Sequence, residues 1–226
     1  MRYNNNKKLK MMKKINLIFL SLIMLIGINI SAQNEDSAYM EVVKGRAAKI
    51  VKGMAMNDQA RETEVTQLIA MHYFNLNKIY AKRDGGLKTI KDSGIKDTAA
   101  LKRIEQAAVQ SVDSLHPIFL ASLGSYLTEL QIAQVKDGLT YGVLPITYKG
   151  YCDMIPSLTQ VQKDVIMKEL VTAREKAMDA ESSDRKHWWF GKYKGRINNY
   201  LAAEGYDTQK ERAEWEKRMK AAGIKY

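Results

Sequence analysis

The chain has 226 residues, one cysteine and three prolines, and its formal net charge is +11. A single cysteine excludes an intramolecular disulfide, and this length is typical of one domain that buries a core without such links. The scarcity of proline argues against a β-rich fold with many turns.

Residues 1–32 predict a secretory signal peptide. Six basic residues precede an apolar stretch at residues 15–30, and the small residues Ser31 and Ala32 follow. This order is typical of a cleaved export signal, whereas a membrane anchor needs about 20 apolar residues. We therefore expect cleavage after Ala32, no membrane anchor, and a periplasmic or secreted protein. A lipid anchor is excluded because no cysteine lies at the cleavage point.

The net charge is concentrated in this leader. It holds six of the 36 basic residues and none of the 25 acidic ones, which leaves residues 33–226 with a net charge of +5. Nucleic-acid-binding domains usually carry a concentrated basic face, and only residues 186–196 come near one. We expect no nucleic-acid partner.

Two long amphipathic helices are predicted after the leader. Apolar residues recur at helical spacing over residues 37–54, with Ser37 as the N-cap, and again from Asn57 to about Arg83. Residues 84–97 contain three glycines, two of them adjacent, and predict a loop, because successive glycines end helices.

Three further helices follow this loop. One is predicted to begin at Asp97 or Thr98 and to be interrupted or kinked at Pro117. The motif Leu-Thr-x-x-Gln then occurs twice, with its threonines at Thr128 and Thr159. In a capping box the threonine oxygen accepts from the third helical amide, and the glutamine side chain bonds the threonine amide. Two helices should therefore start there, one ending near Gly138 and the other near residue 182.

Residues 140–157 contain two prolines, two glycines and three tyrosines, and they predict an ordered surface loop. Two helices should complete the chain, one capped by Ser183 and ended by Gly205, the other capped by Asp207 or Thr208. The sequence predicts an all-α fold, with residues 33–226 forming a single-domain bundle of six to eight helices.

No metal site and no cofactor are predicted. The histidines His72, His116 and His187 lie on separate segments without a second ligand at helical spacing, and His72 is expected to be a hydrogen-bonded core residue. Glu175 and Asp179 are four residues apart on one helix, so solvated surface ion pairs are expected there. The chain has no nucleophile elbow and no glycine-rich phosphate loop.

Aromatic and cationic side chains are densest at residues 187–196. Indole faces stack on the CH groups of sugars, and Arg or Lys binds hydroxyls or carboxylates. Phe190 and Tyr193 also fit the buried stripe of their helix, so a core role is open for part of this group. The candidate ligand-binding residues are His187, Trp188, Trp189, Tyr193 and Arg196, with Tyr148 and Tyr151 of the predicted loop.

Four stretches, in this order, resemble the secreted bacterial family known as Domain of Unknown Function 3826. They are residues 46–51 (RAAKIV), 156–162 (PSLTQVQ), 173–179 (AREKAMD) and 192–201 (KYKGRINNYL). The resemblance implies sugar binding and a place in polysaccharide utilisation, and it transfers no site residue. The paired Leu-Thr-x-x-Gln motifs are also similar to those of periplasmic stress chaperones.

We therefore expect an exported accessory protein that binds an oligo- or polysaccharide and is not an enzyme. Two alternatives are open. One is a polysaccharide lyase or glycoside hydrolase that depends on His72, His187 or Arg196. The other is a periplasmic chaperone or scaffold.

Overall fold

The computed structural model describes residues 35–224, so the predicted signal peptide lies outside the described residues. Eight helices and no strand make up the described part, which confirms the all-α prediction. None of these helices has both the length and the apolar composition needed to cross a membrane. The helices are α1 (35–53), α2 (Gln59–Asp92), α3 (Thr98–Gly124), α4 (Glu129–Leu139), α5 (Val143–Met154), α6 (Gln160–Ala177), α7 (Ser183–Ala203) and α8 (Thr208–Ala221).

The helices surround two hydrophobic clusters. The first cluster joins α1 to α4 around Ile69, Leu123 and Leu139, and the second joins α5, α6 and α7 around Ile166 and Phe190. The most extensive packing between helices is that of α2 against α3 and of α6 against α7. Ala177, the last residue of α6, is buried in the second cluster, and Met178, the C-cap of α6, is buried in the first. The two halves of the bundle therefore meet where α6 ends.

The first helix pair is longer than predicted. α2 continues through Gly85 and Gly86 to Asp92, so the predicted loop at residues 84–97 is wrong except for residues 93–97, which connect α2 to α3. A Cβ atom at Gly86 would lie 3.1 Å from Ile104 Cδ1 of α3, so glycine permits the close packing of the two helices. That packing outweighs the weak helix propensity of glycine. The chain turns only at Gly94, where φ is 70°.

Pro117 lies inside α3, and the helix is not interrupted there. Phe119 and Leu123, beyond the proline, are both buried in the first cluster. Burial of these side chains holds the helix together across the missing backbone donor.

The predicted surface loop at residues 140–157 is also wrong, because it contains α5. Tyr141 and Gly142 have φ values of 59° and 66° and reverse the chain after α4. Pro145 then lies in the first turn of α5, where a helix has no use for its backbone N–H. Tyr151 is buried in the second cluster.

Four predicted helix caps are confirmed, at Asp97, Thr128, Thr159 and Asp207. Three are wrong: α1 begins before Ser37, and Asp58 and Ser182 cap the helices predicted to begin at Asn57 and Ser183. Both capping boxes form: the Thr128 amide donates to Gln131 Oε1 at 3.0 Å, and the Thr159 amide donates to Gln162 Oε1 at 3.0 Å. α6 ends at Ala177, five residues earlier than predicted, because Ser182 caps the next helix. Asp207 caps α8, as predicted.

The packing of α4 against α1 can be tested at Gly138, because a Cβ atom there would lie 2.7 Å from Ile50 Cγ2 of α1. Gly138→Ala should lower the free energy of unfolding by about 1–3 kcal/mol, the usual cost of overpacking. The matched control is Gly195→Ala in α7, where the new methyl group meets no atom within 4 Å. This control should be neutral or stabilise by up to about 1 kcal/mol. Equal effects in chemical denaturation would contradict the close approach of α1 and α4.

Candidate functional site

A buried carboxylate bridges two histidines at the junction of the two clusters. Asp179 follows the C-cap of α6 and is 6% exposed. His72 Nε2 of α2 donates to Asp179 Oδ1 at 2.8 Å, and His116 Nδ1 of α3 donates to Oδ2 at 2.6 Å. The Tyr80 hydroxyl donates to the Asp179 carbonyl oxygen at 2.8 Å. Three side chains from α2 and α3 therefore fix the segment that links α6 to α7.

The hydrogen bonds decide the charge of this group. Burial by itself would raise the pKa of Asp179, but the bonds from His116 and His72 outweigh it and hold that pKa below its ordinary value. The bond to Asp179 and the nearby Glu175 carboxylate raise the pKa of His116 to about 9, against a smaller opposing effect of burial. At neutral pH the pair is therefore a carboxylate and an imidazolium.

The two histidines have different surroundings. His72 is buried and its ring stacks on Phe119 with the centroids 3.8 Å apart, which confirms the predicted core role. Its Nδ1 atom has no hydrogen-bond partner within residues 35–224. His116 is partly exposed, and its Nε2 atom lies 3.6 Å from Glu175 Oε2. His72 positions Asp179, whereas His116 reaches the surface.

Glu175 and Asp179 are not the solvated surface pair that their spacing predicts. Glu175 Oε2 accepts a hydrogen bond from Lys136 at 2.7 Å in addition to its contact with His116. The adjacent Arg174 is buried and donates to Asp137 of α4 at 2.8 Å. Asp179 lies beyond the last residue of α6, and α3 and α4 cover the face of that helix that carries Glu175. Among residues 35–224, no group of histidine, cysteine and acidic side chains has an arrangement that could hold a metal ion.

A cleft of about 440 Å³ opens beside Glu175 and Asp179, and we call it the Asp179 cleft. Its walls come from α2, α3, α6 and α7, and its size is typical of small-molecule sites. His116, Glu175 and Asp179 line it, together with the aromatic side chains of Tyr80 and Trp189. Arg83 and Arg185 add guanidinium groups, and Val109 adds an apolar side chain on α3.

Of the seven residues predicted to bind a ligand, only Trp189 lines this cleft. Trp188 is 46% exposed beside it and packs edge-on against Trp189, with the centroids 4.9 Å apart. The Arg185 guanidinium lies 4.5 Å from the centroid of the Trp188 ring. The two indoles therefore form a continuous surface that runs outward from the cleft.

The other five candidates lie elsewhere. Tyr193 and Tyr151 are buried in the second cluster, and Tyr148 packs on its edge. Arg196 is exposed and bonds Glu169 at 3.1 Å, and His187 stacks on Tyr141 at 5.9 Å. Six residues of the cleft were not predicted from the sequence as a binding group: Tyr80, Arg83, His116, Glu175, Asp179 and Arg185. In the sequence, only the four-residue spacing of Glu175 and Asp179 pointed to this group.

Asp179→Asn tests the charge assignment, because it keeps the side-chain shape and removes the negative charge. The pKa of His116 should fall from about 9 toward its ordinary 6.5. An NMR titration of the His116 ring proton measures this, and an unchanged pKa would contradict the assignment. The variant should also lose about 1–3 kcal/mol of stability, as expected for a weakened buried hydrogen bond.

The same pKa sets a pH dependence of stability. The folded-state pKa of His116 lies above its unfolded value, so its stabilisation is complete below pH 6.5 and disappears as the pH rises to about 9. The difference in unfolding free energy between the wild type and His116→Gln should shrink across that window. A difference that stays constant from pH 6 to pH 9.5 would contradict the prediction.

Comparison with known protein families assigns the chain. The model of the family described as "Protein of unknown function (DUF3826)" matches residues 40–221, from within α1 to the end of α8. A search of curated proteins returns no match. The matched region contains the whole Asp179 cleft. The chain belongs to the DUF3826 family.

Proposed function

We propose that this chain is an exported carbohydrate-binding protein and that the Asp179 cleft is its binding site. The observation that carries the proposal is one cleft in which aromatic faces stand beside fixed hydrogen-bonding groups of both signs. Export rests on the predicted signal peptide of residues 1–32. A saccharide is the ligand class that such a mixture of surfaces suits best.

The aromatic faces supply the apolar part of the recognition. The CH face of a sugar ring packs on an aromatic ring, and Trp189 and Tyr80 stand on α7 and α2 on the wall of the cleft. The Arg83 guanidinium lies 4.8 Å from the Tyr80 centroid and donates to Glu181 at 2.6 Å, which limits its movement. The binding surface is therefore largely preformed.

The charged groups supply the polar part. Charge-assisted hydrogen bonds to sugar hydroxyls are stronger than neutral ones. The His116 imidazolium is a donor, and Glu105 and Asp113, exposed on α3, are acceptors without an ion-pair partner among residues 35–224. Donors and acceptors in one cleft match the alternating hydroxyls of a sugar better than they match an apolar ligand.

Filling the cleft tests the proposal without disturbing the core. Val109 lines the cleft and its side chain is exposed, so Val109→Trp should occupy the ligand volume and leave the fold intact. A glycan array followed by calorimetry on residues 33–226 would identify the saccharide. We expect Val109→Trp to weaken its binding at least about tenfold, or 1.4 kcal/mol.

Ile118→Trp is the matched control, because Ile118 is also exposed on α3 and does not line the cleft. It should bind like the wild type. Equal binding by both variants, or no saccharide bound by the wild type, would overturn the proposal.

A variant at Trp188 distinguishes binding in the cleft from binding on the adjacent outer surface. Trp188→Ala removes an exposed ring outside the cleft and should reduce affinity by about threefold or less, the share of one peripheral stacking contact. Complete loss of binding in this variant, with an unchanged circular dichroism spectrum and melting temperature, would place the site on the outer surface instead.

A second candidate function is acid–base catalysis on the bound glycan. The observation in its favour is that Asp179 fixes His116 Nδ1, while Nε2 lies near Glu175 in the cleft. An imidazolium held this way is a suitable proton donor. Incubation with uronate-rich polysaccharides should then release products, and His116→Gln should stop the release without abolishing binding. Intact polysaccharide after prolonged incubation with the wild type rules out this candidate.

A further inference from the structure

A second cavity, of about 680 Å³, lies beside the first, and we call it the Lys186 cavity. It is bounded by α1, α2, the end of α4 and the start of α7. Tyr80, Ala180 and Glu181 line both cavities, so the short segment after Asp179 is their common wall. Lys186, Arg46 and Lys49 also line the second cavity.

Lys186 is a buried cation without a counterion. It is 5% exposed, and its ammonium donates to two backbone carbonyls, Leu139 at 2.8 Å and Met178 at 3.4 Å. No carboxylate of residues 35–224 lies within ion-pair distance of it. Burial lowers the pKa of Lys186 to about 8; attraction by the Asp179 carboxylate opposes this effect, and a smaller repulsion from Arg46 adds to it. A buried charge that lacks a partner is costly, and a bound anion would remove that cost.

The other charges around the cavity leave it positive. Arg46 and Lys49 are exposed on α1 and form no ion pair within the described residues. Glu181 is the acidic residue on the wall, and its carboxylate already contacts Arg83 at 2.6 Å and Arg185 at 3.9 Å. Three cations therefore surround a space in which no acidic side chain is free to neutralise them.

Neutral donors add to the positive field. Tyr73 and Tyr141 line the cavity, with the Lys186 ammonium 5.5 Å and 5.8 Å from their ring centroids. Burial raises the pKa of Tyr73 to about 12, so its hydroxyl keeps its proton and can donate. α7 also begins at this cavity, with Ser182 and Ser183 on the wall, and helix N-termini favour anions.

We propose that the Lys186 cavity is an anion-binding site that takes the carboxylate or sulfate group of an acidic saccharide whose adjoining ring occupies the Asp179 cleft. The anion site follows from the three cations alone, whereas its assignment to a saccharide rests on the proposed function. Because Tyr80, Ala180 and Glu181 line both cavities, the two sites are adjacent, as an acidic group and the ring that adjoins it are in one ligand.

The test removes the two exposed cations and leaves the buried lysine in place. Arg46→Gln combined with Lys49→Gln deletes two charges from α1 at the cavity. The control, Lys44→Gln combined with Lys52→Gln, deletes two charges from the same helix away from it. Each protein is titrated by calorimetry with sodium sulfate, glucuronate and glucose at constant ionic strength. The acidic oligosaccharide that binds best in a glycan array is then tested on the same proteins.

We expect sulfate and glucuronate to bind to the wild type and the control, and to bind at least tenfold more weakly to the cavity variant. The acidic oligosaccharide should lose affinity in the cavity variant and in Val109→Trp. Equal anion binding by all three proteins, or no anion binding by the wild type, would overturn the anion site. Loss of oligosaccharide binding in Val109→Trp alone would leave the proposed function standing and refute this inference. Anion binding without any saccharide binding would leave the anion site standing and refute both the proposed function and the assignment of the site to a saccharide.

Discussion

The arrangement of this bundle depends on the need to neutralise one buried carboxylate. Asp179 lies where α6 ends, and a charge in this position is tolerated only if hydrogen-bonding partners surround it. His72 and His116 provide the partners from α2 and α3, the helices of the first cluster. Met178 is buried in that first cluster, and Ala177 is buried in the second cluster. The ionic contact therefore fixes how the two halves of the bundle meet.

Both cavities follow from this junction. The segment held by Asp179 turns away from α6 before α7 begins, which leaves the Asp179 cleft on one side and the Lys186 cavity on the other. The two differ in charge. His116 in the first is balanced by Asp179 and Glu175, whereas the buried ammonium of Lys186 donates to backbone carbonyls and has no carboxylate of residues 35–224 within ion-pair distance. A ligand that spans both would need hydroxyls at one end and an anionic group at the other.

The sequence predicts the local features of this fold well and the long-range ones poorly. The capping boxes at Thr128 and Thr159 and the core role of His72 can be derived from neighbouring residues, because caps and apolar stripes are local. The errors at Gly86 and at α5 have a common cause, since burial against other helices overrides the breaking tendency of glycine and proline. The site itself joins Asp179 to residues 107 and 63 positions away, and no periodicity within one helix predicts such a contact. Of the aromatic and cationic residues predicted at 187–196 to bind a ligand, only Trp189 lines the cleft.

The most direct measurement of the central claim uses the histidines, because the chain has only three. A nitrogen-15 NMR spectrum of the imidazole rings should show three sets of signals, and the saccharide found by array screening would be titrated into the sample. If the Asp179 cleft is the binding site, the Nε2 signal of His116 should move with saturation. Movement of His187 with His116 unchanged would contradict the account and place the ligand on the face near Tyr141.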